Sequence, residues 1–425
     1  MTILWLSFFV LMFLGLPVAL AIGLSGFSFF ALSGSVPVSI AVQQIATASQ
    51  SFPLLAVPFF VLAGHMMNKT GITHRLIDCS NVLVSWMTGG LAQVCILLST
   101  LMGGVSGSAV ADAAMEARIL GPDMIRRGYS RGFTCATIAV GSLITATIPP
   151  SLGLILYGFV GNVSIGRLFL AGVIPGLMMM VGLMGVVWWV AHRRGYQPSA
   201  QRLPTAGEVW RAVRNAKWAL LFPVALLAGI RGGIFTPSEI GAFAVVYSVI
   251  VGVFLHRELT WAKFLEALGE GVMDVGVIML IILMSGMVGY ALIFEQAPQT
   301  VAEWMLGLSQ NPLVVVLMIL FFLLIAGFFV ESTVLVLLLT PIFVPIITRI
   351  GVDPVHFGIL MMSIVTLGSM TPPVGVAMYT VCSILDTPIE EYTKEAIPFV
   401  AMIVFVVVLL ALTPGLVLFL PNLLL

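Results

Sequence analysis

Long apolar stretches constrain this sequence more than any other feature. A membrane-spanning helix needs about 20 predominantly apolar residues, and only 8% of the 425 residues are charged. The sequence therefore predicts an all-α polytopic membrane protein. The 18 basic residues balance the 18 acidic residues, so no overall basic field is available to hold nucleic acid. The apolar stretches lie at about 2–32, 53–67, 82–101, 134–165, 168–191, 218–230, 239–255, 275–294, 311–330, 332–348, 356–385 and 397–420.

Basic residues indicate how the chain is oriented. None precedes Lys69, so the apolar N-terminus lacks the basic region of a signal peptide and is predicted to be a retained membrane helix bent near Pro17. The segment 192–217 is strongly basic and is predicted to be a cytoplasmic loop by the positive-inside rule. The segment 218–274 follows, with linking spans and an amphipathic surface arm at 260–274 whose acids share one helix face.

An internal repeat relates the first half, 1–191, to the second half, 275–425. Residue types that dictate backbone shape recur at one offset of 223 positions. Three predicted spans separate the two repeats, and this odd number favours an inverted arrangement. The matched pairs are Gly104/Gly327, Pro122/Pro345, Gly128/Gly351, Pro149/Pro372 and Pro150/Pro373.

Each repeat is predicted to hold a re-entrant helical hairpin followed by a transmembrane helix broken at a Pro-Pro pair. The hairpins are predicted at about 98–123 and 321–347, and the broken helices at about 132–163 and 356–385. Irregular backbone within a membrane is tolerated where it is buried in protein or lines a wet cavity. Inverted repeats with discontinuous helices are typical of secondary transporters, so a central transport site is expected.

Small polar residues at the tips and breaks suit a sodium ion. Sodium takes hard oxygen ligands such as unwound carbonyls and hydroxyls. The predicted sodium-binding residues are Ser106, Gly107 and Ser108 at the first tip, Thr333 at the second tip, and Thr145, Thr147, Gly368 and Thr371 at the breaks.

Two acids lie inside otherwise apolar stretches, where a charge is costly and indicates a functional site. Asp112 follows the first tip, and Glu331 lies at the second tip beside Ser332. We predict that these three residues bind substrate, although either acid could instead help to neutralise a cation. A structural partner, such as Arg118 for Asp112, is the alternative.

Other functional classes have weaker support. Gly104 to Gly107 satisfy the G-x-S-G pattern and His356 follows later, so an intramembrane serine protease is a remote alternative. No nucleotide-binding G-x-x-x-x-G-K-[ST] loop is present, which disfavours an ATP-driven pump. The four cysteines form no C-x-x-C pair and the histidines form no typical metal site. We expect no enzymatic activity, no cofactor and no metal other than sodium.

Several sequence blocks together resemble the large membrane subunit of the tripartite ATP-independent periplasmic (TRAP) transporters. The resemblance extends over most of the chain, because the order and the spacing of the blocks agree. The blocks are SFPLLAVPFFVLAGHMM (51–67), GGVSGSAVADAA (103–114), MIRRGYSRGF (124–133), IPPSLGLILYG (148–158), FTPSEIGA (235–242), LLLTPIFVPI (338–347), GVDPVHFGI (351–359) and TPPVGVAMY (371–379).

This resemblance implies sodium-driven symport of an organic anion across a bacterial or archaeal inner membrane. A periplasmic binding protein would deliver the substrate, a separate small four-helix membrane subunit would pack on the scaffold, and a transport domain would move as an elevator. The family's sodium sites correspond to Ser106, Ser108 and Thr147 in one half and to Gly327, Gly368 and Thr371 in the other. A stand-alone ion-coupled carboxylate transporter of similar architecture is the alternative.

Overall fold

A computed structural model describes residues 2–34 and 36–425. Within these residues the chain forms helices and no strands, as predicted. Six helices are long and apolar enough to cross a membrane, or eight if two bent helix pairs each count as one span. The fold is therefore that of a polytopic α-helical membrane protein.

The helices, numbered in chain order, form an outer layer and an inner core. The first five are α1 (Thr2–Phe13), α2 (Val18–Ser33), α3 (Val38–Ser49), α4 (Ala56–Lys69) and α5 (Ile72–Val84). The first half of the core contains α6 (Gly90–Gly103), α7 (Ala109–Ile119), α8 (Gly121–Arg126), α9 (Arg131–Gly141), α10 (Leu143–Thr147), α11 (Leu152–Val160) and α12 (Ile165–Arg194).

Three further helices return to the outer layer, and the second half of the core follows. The outer helices are α13 (Ala206–Arg231), α14 (Pro237–Ile250), which a π-helical turn over Val251–Leu255 extends, and α15 (Trp261–Phe294). The remaining helices are α16 (Ala297–Leu308), α17 (Pro312–Gly327), α18 (Ser332–Arg349), α19 (Pro354–Gly368), α20 (Val376–Ile384), α21 (Ile389–Leu412) and α22 (Pro414–Leu424).

The repeat predicted from sequence is visible in the helix starts. Ser108 caps α7 and Glu331 caps α18, and these two N-caps lie 223 positions apart. Ser130 and Asp353 cap α9 and α19 at the same offset. Each side chain accepts backbone N–H groups that the first helical turn leaves without partners. The Pro-Pro bonds at 149–150 and 372–373 are both cis.

The two halves of the core interlock. Helix α11, which follows the first break, packs on α18 of the second hairpin, and α20, which follows the second break, packs on α7 of the first hairpin. The hydroxyl of the buried Tyr157 on α11 donates to the Pro354 carbonyl at 2.7 Å. Each broken helix therefore supports the hairpin of the opposite half.

The connecting helices α5 and α16 lie at opposite faces of the protein. A cavity of about 790 Å³ brings His74 of α5 beside Glu208 of α13 and Glu258, just before α15. Helix α15 has 34 residues, so at 1.5 Å per residue it ends about 50 Å away, and α16 begins there. Equivalent helices at opposite faces are the arrangement expected of an inverted repeat.

Three local predictions differ from the structure. The N-terminal stretch is not one bent helix, because it breaks at Leu14–Pro17 into α1 and α2, which pack against each other. The basic segment 192–217 is a loop only between Arg194 and Ala206, and its later basic residues lie on α13. The arm at 260–274 is not a separate element. It forms the first part of α15, because nothing interrupts the helix before Phe294.

The acids of that arm have partners in α4. Lys69 binds Glu266 at 2.7 Å and Glu270 at 3.1 Å, and His65 contacts Glu270 at 3.4 Å and Asp274 at 2.8 Å. The acids lie on one helix face, as the sequence predicts. Their role is to join α15 to α4 rather than only to face solvent.

Candidate functional site

The first hairpin tip lies between α6 and α7. Gly107 adopts a left-handed conformation with φ of 64°, and its carbonyl accepts the Leu152 N–H at 3.4 Å. A Cβ on Gly107 would overlap the carbonyl oxygen of Pro150. Ser106 Oγ accepts the Ser108 N–H at 3.4 Å. The tip therefore lies directly against the first helix break.

The first break leaves backbone carbonyls outside regular helix. Helix α10 ends at Thr147, α11 begins at Leu152, and the helical segments on the two sides are bent by 46°. Thr145 and Thr147 are buried. Thr145 Oγ1 donates to the Ser99 carbonyl at 2.9 Å, so the lone pairs of this hydroxyl are still available as ligands.

Asp112 lies behind the tip, fully buried on α7. The hydroxyls of Ser106 and Thr145 interact with its carboxyl group, whereas Asp112 Oδ2 has no hydrogen-bond partner. Arg118 is solvent-exposed and forms no ion pair with Asp112 in the described part of the chain. The structure thus brings Ser106, Asp112 and Thr145 together without the basic partner considered from sequence.

The second tip is organised by Glu331. Its carboxylate accepts the N–H groups of Thr333 at 2.8 Å and Val334 at 3.4 Å, and the hydroxyls of Ser332 at 2.9 Å and Thr333 at 3.0 Å. Glu331 is therefore the N-cap of α18. Substrate binding by Glu331 and Ser332, and sodium binding by Thr333, stay predictions, because their polar groups already pair with one another.

The second break lies against the second hairpin as the first break does. A Cβ on Gly368 would lie 2.5 Å from Gly327 Cα, so these two backbones touch. Thr371 Oγ1 donates to the Leu367 carbonyl at 2.7 Å, which leaves its lone pairs free. The Phe328 carbonyl accepts the N–H groups of Val374 at 3.2 Å and Gly375 at 3.3 Å. The second hairpin end is thus hydrogen-bonded to the chain just after the second Pro-Pro pair.

The candidate residues therefore form two matched sites rather than one. Tip and break meet in each half, and no hydrogen bond joins the candidates of the first half to those of the second among residues 2–34 and 36–425. The Thr147 hydroxyl contacts Leu143 O at 3.4 Å and the sulfur of Met179 at 3.9 Å, and no hydrogen bond links it to the first tip within the described residues. The carbonyl of Thr147 packs against Gly172 of α12.

Sequence reasoning missed two buried residues beside these sites. The Tyr392 hydroxyl, on α21, donates to the Met370 carbonyl at the second break at 2.6 Å. Glu116, on α7, accepts from Cys95 Sγ and Ser99 Oγ at 2.9 Å each. Glu116 was detectable as an acid one helical turn after Asp112, whereas Tyr392 lies in a distant segment that no local pattern connects to the break.

His356 does not serve as a base for Ser106. Its Nε2 is hydrogen-bonded to the Leu410 carbonyl at 3.0 Å and its side chain is buried at the start of α19. Ser106 instead contacts Ser108 and Asp112. The G-x-S-G pattern is explained by the hairpin tip, where glycine permits the close approach to the break.

Comparison with protein families settles the assignment. The family model described as "Tripartite ATP-independent periplasmic transporter, DctM component" matches residues 5–416. The chain belongs to this family. A large permease of a sialic acid TRAP transporter from Vibrio cholerae serotype O1 is 38% identical, with 99% of this chain and 97% of that protein covered. A C4-dicarboxylate TRAP permease from Pseudomonas aeruginosa is 35% identical, with 90% and 89% covered.

Other members of the DctM family carry names with different substrates. One from Escherichia coli K12 is named as a 2,3-diketo-L-gulonate permease and is 33% identical, with 95% of each chain covered. Among solved structures, the YdaH transporter of Alcanivorax borkumensis superposes with a TM-score of 0.66 at 12% identity, covering 97% of this chain and 98% of that chain. This structural likeness supports the fold, which is that of known transporters.

Proposed function

We propose that this permease imports an organic anion, such as a carboxylate, sugar acid or keto acid, by sodium symport. The single observation that carries the proposal is the contact of each hairpin tip with the helix break of its own half, at Gly107/Pro150 and Gly327/Gly368. Such junctions concentrate hydroxyls and unwound carbonyls, which are the ligands that sodium takes. An anion entering beside bound sodium would then be partly neutralised.

Substrate delivery by a periplasmic binding protein follows from family membership, as does a small membrane subunit. The outer layer exposes large apolar side chains on α1, α14 and α15, including Phe13, Val246 and Met273. Exposed apolar side chains on a membrane protein fit lipid or another membrane chain. We assign α1 to α4 and α13 to α15 to the scaffold, and the interlocked core to a transport domain that moves as an elevator in the inner membrane.

Reconstitution tests this proposal directly. Proteoliposomes that hold the permease, its small subunit and its binding protein should accumulate a labelled organic acid with an inward sodium gradient. One control replaces the sodium gradient with a potassium gradient, and a second control omits the binding protein. Equal uptake with sodium absent from both sides would refute the coupling, and full uptake without the binding protein would favour a stand-alone carboxylate transporter.

A variant pair tests the ligand chemistry at the second break. Thr371→Val keeps the shape of the side chain but removes the hydroxyl oxygen, whereas Thr371→Ser keeps the oxygen. We expect the valine variant to need more sodium for half-maximal uptake and the serine variant to recover. Equal sodium dependence in both variants would show that the Thr371 hydroxyl is not a ligand.

A further inference from the structure

Glu116 is a buried acid that the transport site does not use. It lies on α7, two turns beyond the first hairpin tip, and is completely buried. Its two carboxyl oxygens contact α6, the other arm of the hairpin, through Cys95 Sγ and Ser99 Oγ at 2.9 Å each. Glu116 therefore bridges α6 and α7, the two arms of the first hairpin (hairpin 1).

Among the described residues, no basic side chain interacts with Glu116 to balance a negative charge, and Arg118 of α7 itself is solvent-exposed. The titratable or charged residues on helices packed against α7 are Cys95 on α6, Asp123 and Arg126 on α8, Arg131 and Cys135 on α9, and Tyr379 and Cys382 on α20. Arg126 pairs with Asp123, and Arg131 donates to the carbonyls of Leu385 and Asp386. Within the described residues, Glu116 interacts with Cys95, Ser99 and Asp112.

Asp112 makes an ionised Glu116 still less favourable. It precedes Glu116 by one helical turn on the same face, is itself buried, and leaves Oδ2 without a partner. Two adjacent carboxylates in a dry interior would repel each other and would each lose their hydration. A thiol and one hydroxyl are weak compensation, because the Ser99 hydroxyl is also within 3.1 Å of the Cys95 carbonyl.

A proton on Glu116 completes the hydrogen bonding. With the proton on Oε1, Glu116 donates to Ser99 Oγ, Ser99 donates to the Cys95 carbonyl, and the Cys95 thiol donates to Glu116 Oε2. Each hydrogen then has one acceptor, and the ring of contacts closes between α6 and α7. An ionised Glu116 would leave Ser99 to divide one hydrogen between two acceptors.

We propose that Glu116 is a proton-binding site that holds the two arms of hairpin 1 together. As a neutral acid it joins α7 to α6 through Ser99 and Cys95. Loss of the proton places a charge in the apolar contact between the arms, which weakens that contact. This site goes beyond the sodium and substrate sites, because its ligand is a proton and its location is behind the tip.

Infrared spectroscopy of the complete permease complex in lipid tests the proposal without any transport. The carbonyl band of a protonated carboxylic acid should be present in the wild type and weaker in Glu116→Gln. Glu303→Gln, which changes an exposed acid on α16, should leave that band unchanged. A spectrum of Glu116→Gln identical to the wild type in this region would overturn the proposal.

Two further measurements keep the test independent of one variant. Ser99→Ala removes the acceptor of the Glu116 proton, so the same band should shift in frequency; an unshifted band counts against the ring. The thermal midpoint of the wild type should fall as pH rises, because the folded state holds a proton that the unfolded state releases. Glu116→Gln should lack this component, and parallel pH profiles for the two proteins would contradict the assignment. A large change in sodium dependence without a change in the band would instead make Glu116 an ionised cation ligand.

Discussion

Gly327 and Gly368 meet backbone to backbone, with the hairpin arm α17 lying against the end of α19. A Cβ on Gly368 would lie 2.5 Å from Gly327 Cα, and a Cβ on Gly327 would lie 3.0 Å from Gly368 Cα. No side chain can move aside here, because both neighbours are main chain. The contact sets how closely the second hairpin approaches the second break.

Gly368→Ala should therefore reduce sodium-driven uptake by about tenfold or more, since overpacking typically costs about 1–3 kcal/mol. The matched control is Gly276→Ala on α15, where an added Cβ would meet nothing within 4 Å. The readout is initial uptake in proteoliposomes at equal protein content. Wild-type uptake by Gly368→Ala would mean that the close approach is dispensable.

The first hairpin offers a separate test of the same principle. Gly107→Ala should impair uptake more than Gly128→Ala, although both glycines have positive φ, at 64° and 90°. Each variant bears a left-handed penalty of about 1–2 kcal/mol, but only Gly107 lies against the Pro150 carbonyl. The difference in uptake between the two variants measures the tip contact itself, and equal losses would assign the effect to backbone conformation.

The capping role of Glu331 can be separated from a substrate-binding role by placing at position 331 the residue type that the first repeat has at its matched position. Glu331→Ser places at this N-cap the residue type that Ser108 supplies at the matched position, so it should keep the thermal midpoint of the wild type. Glu331→Ala should lower the stability of the protein by about 0.5–2 kcal/mol, the usual cost of losing a cap. Thermal unfolding and substrate affinity are measured together. A serine variant that is stable but has lost substrate affinity would establish Glu331 as a substrate ligand.

Tyr392→Phe should destabilise the second break. Removal of the hydroxyl leaves the buried Met370 carbonyl without its 2.6 Å donor, at a cost of about 1–3 kcal/mol. Tyr379→Phe on α20 changes an exposed tyrosine and serves as the control. We expect a lower thermal midpoint and an altered sodium dependence for Tyr392→Phe alone. Identical behaviour of the two variants would remove Tyr392 from the list of positioning residues.

The junction between the ends of α4 and α14 should be sensitive to acid. His256 Nδ1 lies 2.9 Å from the Thr70 carbonyl, and burial lowers the pKa of His256 below its ordinary 6.5. The folded state thus binds fewer protons than the unfolded state. The contribution of neutral His256 to the stability of the folded state is therefore full above about pH 6.5 and is lost as pH falls. His256→Asn should flatten that acid limb of the thermal midpoint. An unchanged acid limb would place the sensitivity elsewhere.

Much of the fold could be predicted because the residues that define it act locally. Glycine and proline set backbone shape over a few positions, so Gly104, Pro149 and their counterparts indicated both tips and both breaks. The continuity of α15 could not be predicted in this way. The acidic face of the arm resembles that of a surface helix, and only the folded chain brings Lys69 and His65 to these acids as partners. Tyr392 was missed for the same reason, because only the folded chain brings it to Met370. Glu116 was detectable as an acid one turn after Asp112, but its partner Ser99 on the other hairpin arm was not.

The placement of α5 and α16 has a mechanical consequence. Helices α5 and α16 connect the interlocked core to the outer layer, one at each face of the protein. A domain attached at one face can rotate about that attachment, whereas a domain attached at both faces is guided at both ends. On the transport mechanism proposed above, attachment at both faces would resist tilting of the core and would leave translation along the outer layer as the expected motion.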